Sequence, residues 1–389
     1  MDFEFSQRLQ KLPPYLFKEI DALKSELKKS GADVINLGVG DPDLPTPPHI
    51  VKALQKAAEN PSNHQYALDQ GKQTLREACA SYYQKRFGVT LDPNTEVLPL
   101  LGSKEGIGHI HLAFVNPGDV VLVPEPGYPV YHSGTLFAGG ETYYMPLKEE
   151  NDFLPDLDAI PEEIRKRAKM MFLCYPSNPI AVTAPLSFYE KALAFAKKYN
   201  IIVCHDAAYT DVYFDGQKPH SFLEVEGAKD YAIEYYSLSK TYNMTGWRVA
   251  FAVGNPSVLR GLSAVKGNLD SGIFGAVQDA AVEALTGDQS WREELIKTYQ
   301  ERRDVLVNGL RSLGCPVRPS QAAFYLWVPV PKGMTSAETT AKLLKEAAVV
   351  TTPGNGLGPS GEGYIRMTLT APKERIAEAV ERIRALKIY

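Results

Sequence analysis

The chain is predicted to be an α/β protein. A large domain with a mostly parallel mixed sheet flanked by helices is expected, followed by a smaller α+β domain. Three observations predict this. Short apolar runs of strand length recur at 120–123, 170–173, 201–203, 232–236 and 249–253. Several of them lack alternation, which is how strands buried on both faces read. Longer amphipathic segments such as 187–199 lie between them, and such strand–helix alternation builds layered parallel sheets. After Val253 the pattern changes to long charged helices with isolated strands.

Taken in order, residues 104–115 follow Gly102-Ser103 and read as a helix, and the five strand-length runs come next. Residues 278–311 are rich in Glu, Arg and Lys and read as one long helix. A strand at 323–328, a helix at 337–347, a strand at 364–369 and a helix at 373–386 complete the smaller unit. The first 40 residues hold Pro13-Pro14 and a helical stretch at 17–29. That is too little for a domain, so they are expected to pack on the C-terminal unit.

The 389 residues, 23% charged and 44% hydrophobic, have the composition of a folded globular protein. A net charge of −4 gives no electrostatic drive toward nucleic acid or an anionic membrane. No apolar run approaches the roughly 20 residues of a membrane span, and the opening Met-Asp-Phe-Glu-Phe has no secretory pattern. Cys79, Cys174, Cys204 and Cys315 form no CxxC pair, which fits a reducing, cytoplasmic setting. No metal site is expected: the histidines are scattered, and His109 and His111 are spaced to face different ways on a helix.

Five segments carry candidate chemistry. In Ser237-Leu238-Ser239-Lys240, with Arg248 eight residues on, a desolvated lysine near another cation becomes a nucleophile toward carbonyls. The hydroxyls and guanidinium suit a phosphate; a solvated polar turn reads the same way. Asp206 ends the apolar run at 201–203, where α/β sheets bind ligands; it also suits a helix N-cap. Asn178, in Tyr175-Pro176-Ser177-Asn178-Pro179, is placed to donate to a phenolate oxygen, or simply to make a turn. Gly102-Ser103-Lys104 runs into a helix N-terminus, an anion-binding feature without P-loop spacing. Arg366 sits inside an apolar strand, costly unless paired. Carboxylate recognition or an edge strand turned to water accounts for it.

Together these segments resemble the class I/II aminotransferases, fold-type I enzymes dependent on pyridoxal 5′-phosphate (PLP). The spacings agree as a set: 28 from Asn178 to Asp206, 3 to Tyr209, 34 from Asp206 to Lys240 and 8 to Arg248. The likeness covers nearly the whole chain. It implies that Lys240 binds the cofactor's aldehyde and moves the substrate's α-proton, that Asp206 holds the pyridinium proton, and that Asn178 and Tyr209 bond the ring's phenolate oxygen. It implies Tyr128 against the ring face, and Ser103, Lys104, Ser237 and Arg248 on the phosphate. Arg366, with the backbone near Gly40 and with Asn178, would bind the substrate's α-carboxylate. Tyr66 and the segment 268–272 would reach the neighbouring subunit's cofactor, so a homodimer is expected.

Within the family, segments 11–17, 37–47, 102–106 and 268–272 are most similar to members acting on LL-2,6-diaminopimelate and 2-oxoglutarate in lysine biosynthesis. Tyr15 and Asp69 are candidates for the distal end of such a substrate; a packing anchor and a turn residue are their plainer readings. The expected domains are 1–45 as N-terminal arm and part of the small domain, 46–285 as the PLP-binding domain and 286–389 as the small domain. One departure stands out: Asn178-Pro179-Ile180-Ala181 replaces the family's Asn-Pro-Thr-Gly, and Gly reaches backbone conformations that Ala avoids. Rival readings are another amino donor, a PLP β-lyase and an aminotransferase-like transcription regulator; the last lacks a preceding helix-turn-helix.

Overall fold

The computed structural model describes residues 3–12, 31–67 and 69–389. The helical stretch expected at 17–29 lies outside them. A short strand β1 (Ile35–Asn36) comes first in the chain. The central sheet is then built from β2 (Val97–Leu100), β3 (Val120–Glu125), β4 (Glu141–Pro146), β5 (Ala168–Cys174), β6 (Ile202–Asp206), β7 (Ala232–Ser237) and β8 (Ala250–Gly254). Their order across the sheet is β2-β8-β7-β6-β5-β3-β4. Every pairing is parallel except those of β8, which runs against both neighbours.

The apolar runs without alternation are explained by burial on both sides. Val120 and Leu122 pack into one core with Met171 and Leu173. Val121 and Val123 pack into another with Met170 and Phe172 on the opposite face. The first core is closed by helices including Gln73–Phe87, Leu186–Tyr199 and Gly275–Thr286, the second by Ser103–Phe114 and Pro256–Leu269. Truncating one of these buried side chains, such as Leu122→Ala, costs about 2–5 kcal/mol in such a setting.

A three-stranded antiparallel sheet follows, with β12 (Tyr364–Thr368) between β11 (Thr352–Pro353) and β9 (Tyr325–Pro329). Its core joins Leu326, Val328, Ile365 and Met367 to Leu306, Leu310, Ile376 and Ile383 of the long helices. β1 pairs in parallel with β10 (Val349–Val350), and Ile35 and Leu37 enter the same core, so this early segment packs on the C-terminal sheet. The stretch 278–311 is two helices rather than one. Gly275–Thr286 ends as Gly287 donates to Glu283 O (2.8 Å), and Ser290–Ser312 starts where Asp288 accepts from Ser290 N–H (2.9 Å). The strand expected from 323 begins at Tyr325, because Ala323 has φ +58°, outside the β region. Among the described residues no helix is long and apolar enough to cross a membrane.

Candidate active site

The parallel strands β3, β5, β6 and β7 all end at one edge of the sheet. At or just beyond their carboxyl ends stand Tyr128, Asn178, Asp206 with Tyr209, and Lys240 respectively. Such an edge is where open α/β sheets bind ligands. These residues line a cavity of about 470 Å³, closed from the other side by Gly40, Tyr325 and Arg366.

Lys240 sits in the one-turn helix Leu238–Thr241, whose N-cap Ser237 accepts from Ser239 N–H (3.2 Å). Its Nζ donates to Gly40 O (3.4 Å) and lies 5.5 Å from the Phe324 ring and 6.0 Å from that of Tyr209. Burial lowers its pKa to about 8; Arg248 and Arg366 push the same way, and Asp41 and Asp206 oppose. Asp206 is buried at the end of β6. Its Oδ2 accepts from Tyr131 O–H (2.8 Å) and its Oδ1 from Ala208 N–H (3.3 Å). Burial raises its pKa, and these two hydrogen bonds hold it back. No helix starts at Asp206, so it is not a helix cap. Tyr209 shares a 2.8 Å hydrogen bond with Tyr325, and burial keeps its phenol protonated.

Arg366 lies on the central strand of its sheet and is 3% exposed, which excludes an edge strand turned to water. Its Nη1 donates to Asn178 Oδ1 (2.8 Å), and its Nη2 to Gly38 O (2.9 Å). The guanidinium lies 4.5 Å from the Tyr325 ring centroid. A Cβ on Gly40 would run into that same tyrosine, so only glycine allows the backbone this close. Ala181, after the Asn178 turn, is fully buried with φ +64°. Its N–H donates to Ser177 O (2.9 Å) and its carbonyl accepts from Gln321 N–H (3.1 Å). Alanine thus holds a left-handed conformation that favours glycine.

Ser103 opens the helix Ser103–Phe114 after Gly102, whose φ is +85°. A Cβ on Gly102 would meet the Arg248 guanidinium. Arg248 Nη1 donates to Thr245 O (2.9 Å) and Nη2 to Leu101 O (3.3 Å). Ser103, Lys104, Ser237 and Arg248 therefore surround one end of the cavity, as donors for an anion at a helix N-terminus do. PLP requires an amine of reduced basicity, a buried carboxylate at its ring nitrogen and a phosphate cradle. Lys240, Asp206 and the cradle that a Cβ at Gly102 would fill fit it.

Two expected residues lie away from this cavity in their own chain. Tyr66 is 96% exposed, and Asp69 faces Gly267. Tyr15 lies outside the described residues. Sequence reasoning missed Tyr131, Tyr325, Thr245 and Asp41. Tyr325 reads as core because it falls in an apolar strand, and Tyr131 stands only three residues after Tyr128, a spacing that was there to be used. Glu105, His109 and Asp270 place potential ligand atoms within 4.8 Å of one another. Lys266 already pairs with Glu105 (3.1 Å) and Asp270 (2.8 Å), so an ammonium is the cation that both carboxylates share.

Residues 32–383 match the family aminotransferase class I and II. The chain is 56% identical over 386 residues to an LL-diaminopimelate aminotransferase of Syntrophobacter fumaroxidans, covering 99% of this chain and 100% of that one. It is 55% identical to that of Aquifex aeolicus, with the same coverage. Among solved structures, substrate-bound BacF from Bacillus subtilis superposes with a TM-score of 0.96 at 43% identity, covering 99% of this chain and 98% of that one. An aspartate aminotransferase double mutant from Thermus thermophilus gives 0.93 at 27% identity, covering 99% and 100%.

Proposed function

Because the chain belongs to the class I and II aminotransferases, whose cofactor is PLP, we propose that it transfers the amino group between LL-2,6-diaminopimelate and 2-oxoglutarate. The products are tetrahydrodipicolinate and glutamate, and lysine biosynthesis uses the reverse direction. The observation that carries the reaction is an amine of lowered basicity, Lys240, in one cavity with a buried carboxylate and a buried arginine. The names of the full-length relatives support the substrate.

PLP, when bound, supplies an electron sink conjugated to the substrate nitrogen. Lys240, with a pKa of about 8, has an amine fraction near neutrality that can take a proton from the substrate's α-carbon and return one. Asp206 would hold the proton on the ring nitrogen. Asn178 and Tyr209 would donate to the ring's phenolate oxygen, and Tyr128 would pack on the ring face. Ser103, Lys104, Ser237 and Arg248 would bind the phosphate. Arg366, anchored by Asn178 and Gly38 O, presents its guanidinium to the α-carboxylate beside Gly40. Two half-reactions at one site give ping-pong kinetics.

The active unit in this reading is a homodimer. Support comes from Tyr66, Leu269 and Phe274, which are exposed on neighbouring segments: Asn63 lies against Gly275, and Asp69 against Gly267. Tyr66, with Asp69 on the same loop, then serves the partner's cavity, where an acid suits a distal ammonium. With the chain divided into 1–45, 46–285 and 286–389, all three parts contribute to the cavity, through Gly40, Lys240 and Arg366. Buried thiols at all four cysteines suit a cytoplasmic enzyme. Amino-donor profiling with 2-oxoglutarate tests the substrate. LL-diaminopimelate should exceed aspartate, alanine and lysine by at least about tenfold in kcat/KM, or about 1.4 kcal/mol. Comparable values with aspartate would reject the substrate and leave the chemistry standing.

A further inference from the structure

Tyr131 has no part in the scheme above, yet it touches two of its members. Its hydroxyl donates to Asp206 Oδ2 at 2.8 Å, and its ring meets that of Tyr128 edge-on at 5.8 Å. The ring is fully buried and has little room to move. It stacks on Phe172 at 4.8 Å, which in turn stacks on His111 at 5.0 Å. We propose that Tyr131 is a positioning residue for Asp206: its hydroxyl, fixed by the ring stack behind it, holds one carboxylate oxygen and presents Asp206 to the cavity as an oriented anion. This rests on the assignment of Asp206 to the cofactor's ring nitrogen.

The chemistry requires some such device. An ionised carboxylate in a buried setting is disfavoured unless hydrogen bonds stabilise it, and burial does raise the Asp206 pKa. The titratable groups acting on Asp206 come from several elements. Cys174 on β5 is a thiol pushed up to about 12 by burial. His205 precedes Asp206 on its own strand and bonds Glu234 at 2.7 Å. Tyr235 on β7, Tyr209 and Tyr325 are phenols kept protonated chiefly by burial. Lys240 faces it across the cavity. The Tyr131 phenol is itself kept protonated by burial and by the adjacent carboxylate, so it donates rather than accepts.

Tyr131→Phe keeps the stack and removes the hydroxyl, with its bonds to Asp206 and to the Cys174 thiol. The test is a fluorescence titration of PLP-free protein with PLP from mildly acidic to alkaline pH, on wild type, Y131F, Asp206→Asn and the double variant. The hydroxyl favours the anion, so its loss moves protonation of Asp206 upward. Affinity that needs the anion is present above that pKa and lost as pH falls through it. Y131F should bind PLP at least about tenfold more weakly than wild type at the acidic end and within about twofold at the alkaline end. In the D206N background, which has no carboxylate to titrate, adding Y131F should change the Kd less than about twofold at every pH. A Y131F loss that is equal at all pH values, or equally large in D206N, would show that Tyr131 only packs, and so would a Y131F curve that superposes on wild type. If D206N alone binds PLP and turns over like wild type, the Asp206 assignment itself falls and this inference with it. Reading Y131F against D206N cancels any general loss of stability.

Discussion

Lys240 is charged at neutral pH in an unfolded chain, with a pKa near ~10.4, and is brought down to about 8 by burial in the folded protein. The sign of the consequence follows from proton counting. Below pH 8 both states are protonated and the folded state bears the cost of a desolvated ammonium. Between 8 and about 10.4 the unfolded state binds more protons, so stability rises with pH. PLP-free Lys240→Met should therefore be more stable than the PLP-free parent by about 3 kcal/mol below pH 8, with the gap closing above about pH 10. Denaturant unfolding at a series of pH values measures it, and a gap independent of pH would mean that the amine is not desolvated. Lys240, Asp206 and Arg366 were legible in the sequence because each is a charge beside or inside an apolar strand, which demands a reason. Tyr131 and Tyr325 were not, because an aromatic among apolar residues is ordinarily core and only its hydroxyl's partner, Asp206 or Tyr209, reveals the second role.

The strand–turn–helix from β2 into Ser103–Phe114 shows how an element makes a site. Glu105, in the helix's first turn, accepts from Leu101 N–H (2.6 Å) and pairs with the fully buried Lys266 (3.1 Å). Leu101 O in turn receives Arg248. Gly102 stands between them at φ +85°, where a side chain is strained and would meet the guanidinium. Gly102→Ala should weaken PLP binding at least about tenfold, or about 1.4 kcal/mol, by displacing Arg248. PLP titration of the purified variant decides it, and an affinity within twofold of the parent would mean that Arg248 is not held where the phosphate binds. At this scale the sequence told most where burial is two-sided, as in β3, β5 and β6. It told less where a local signal interrupts a pattern: Asp288 divides a continuous helical stretch by accepting from both the N–H and the hydroxyl of Ser290, and a charge-rich periodicity does not register that.

The whole molecule brings residues from both ends of the chain into one cavity, Gly40 from near the start and Arg366 from near the end. Arg366 Nη2 reaches Gly38 O across 328 positions (2.9 Å), a closure that no local pattern could reveal. What the cavity does not receive from its own chain is Tyr66, an aromatic left 96% exposed. That exposure leaves its ring and hydroxyl open to a partner subunit, and a twofold-symmetric dimer would place the same loop over each partner's site. Composite sites have a quantitative consequence. Lys240→Ala alone removes the amine from every site, and Tyr66→Ala alone removes the crossing hydroxyl from every site. In a heterodimer of the two, one site takes Lys240 from the second chain and Tyr66 from the first, so both are intact; the other site lacks both. Random exchange of equal amounts makes half the dimers mixed, each with one working site of two, so about a quarter of the parent activity should return. Differently tagged chains, isolated as heterodimers after verified exchange, should approach half. If each site were built within one chain, every site in the mixture would still carry a defect, and activity would stay at the level of the separate variants.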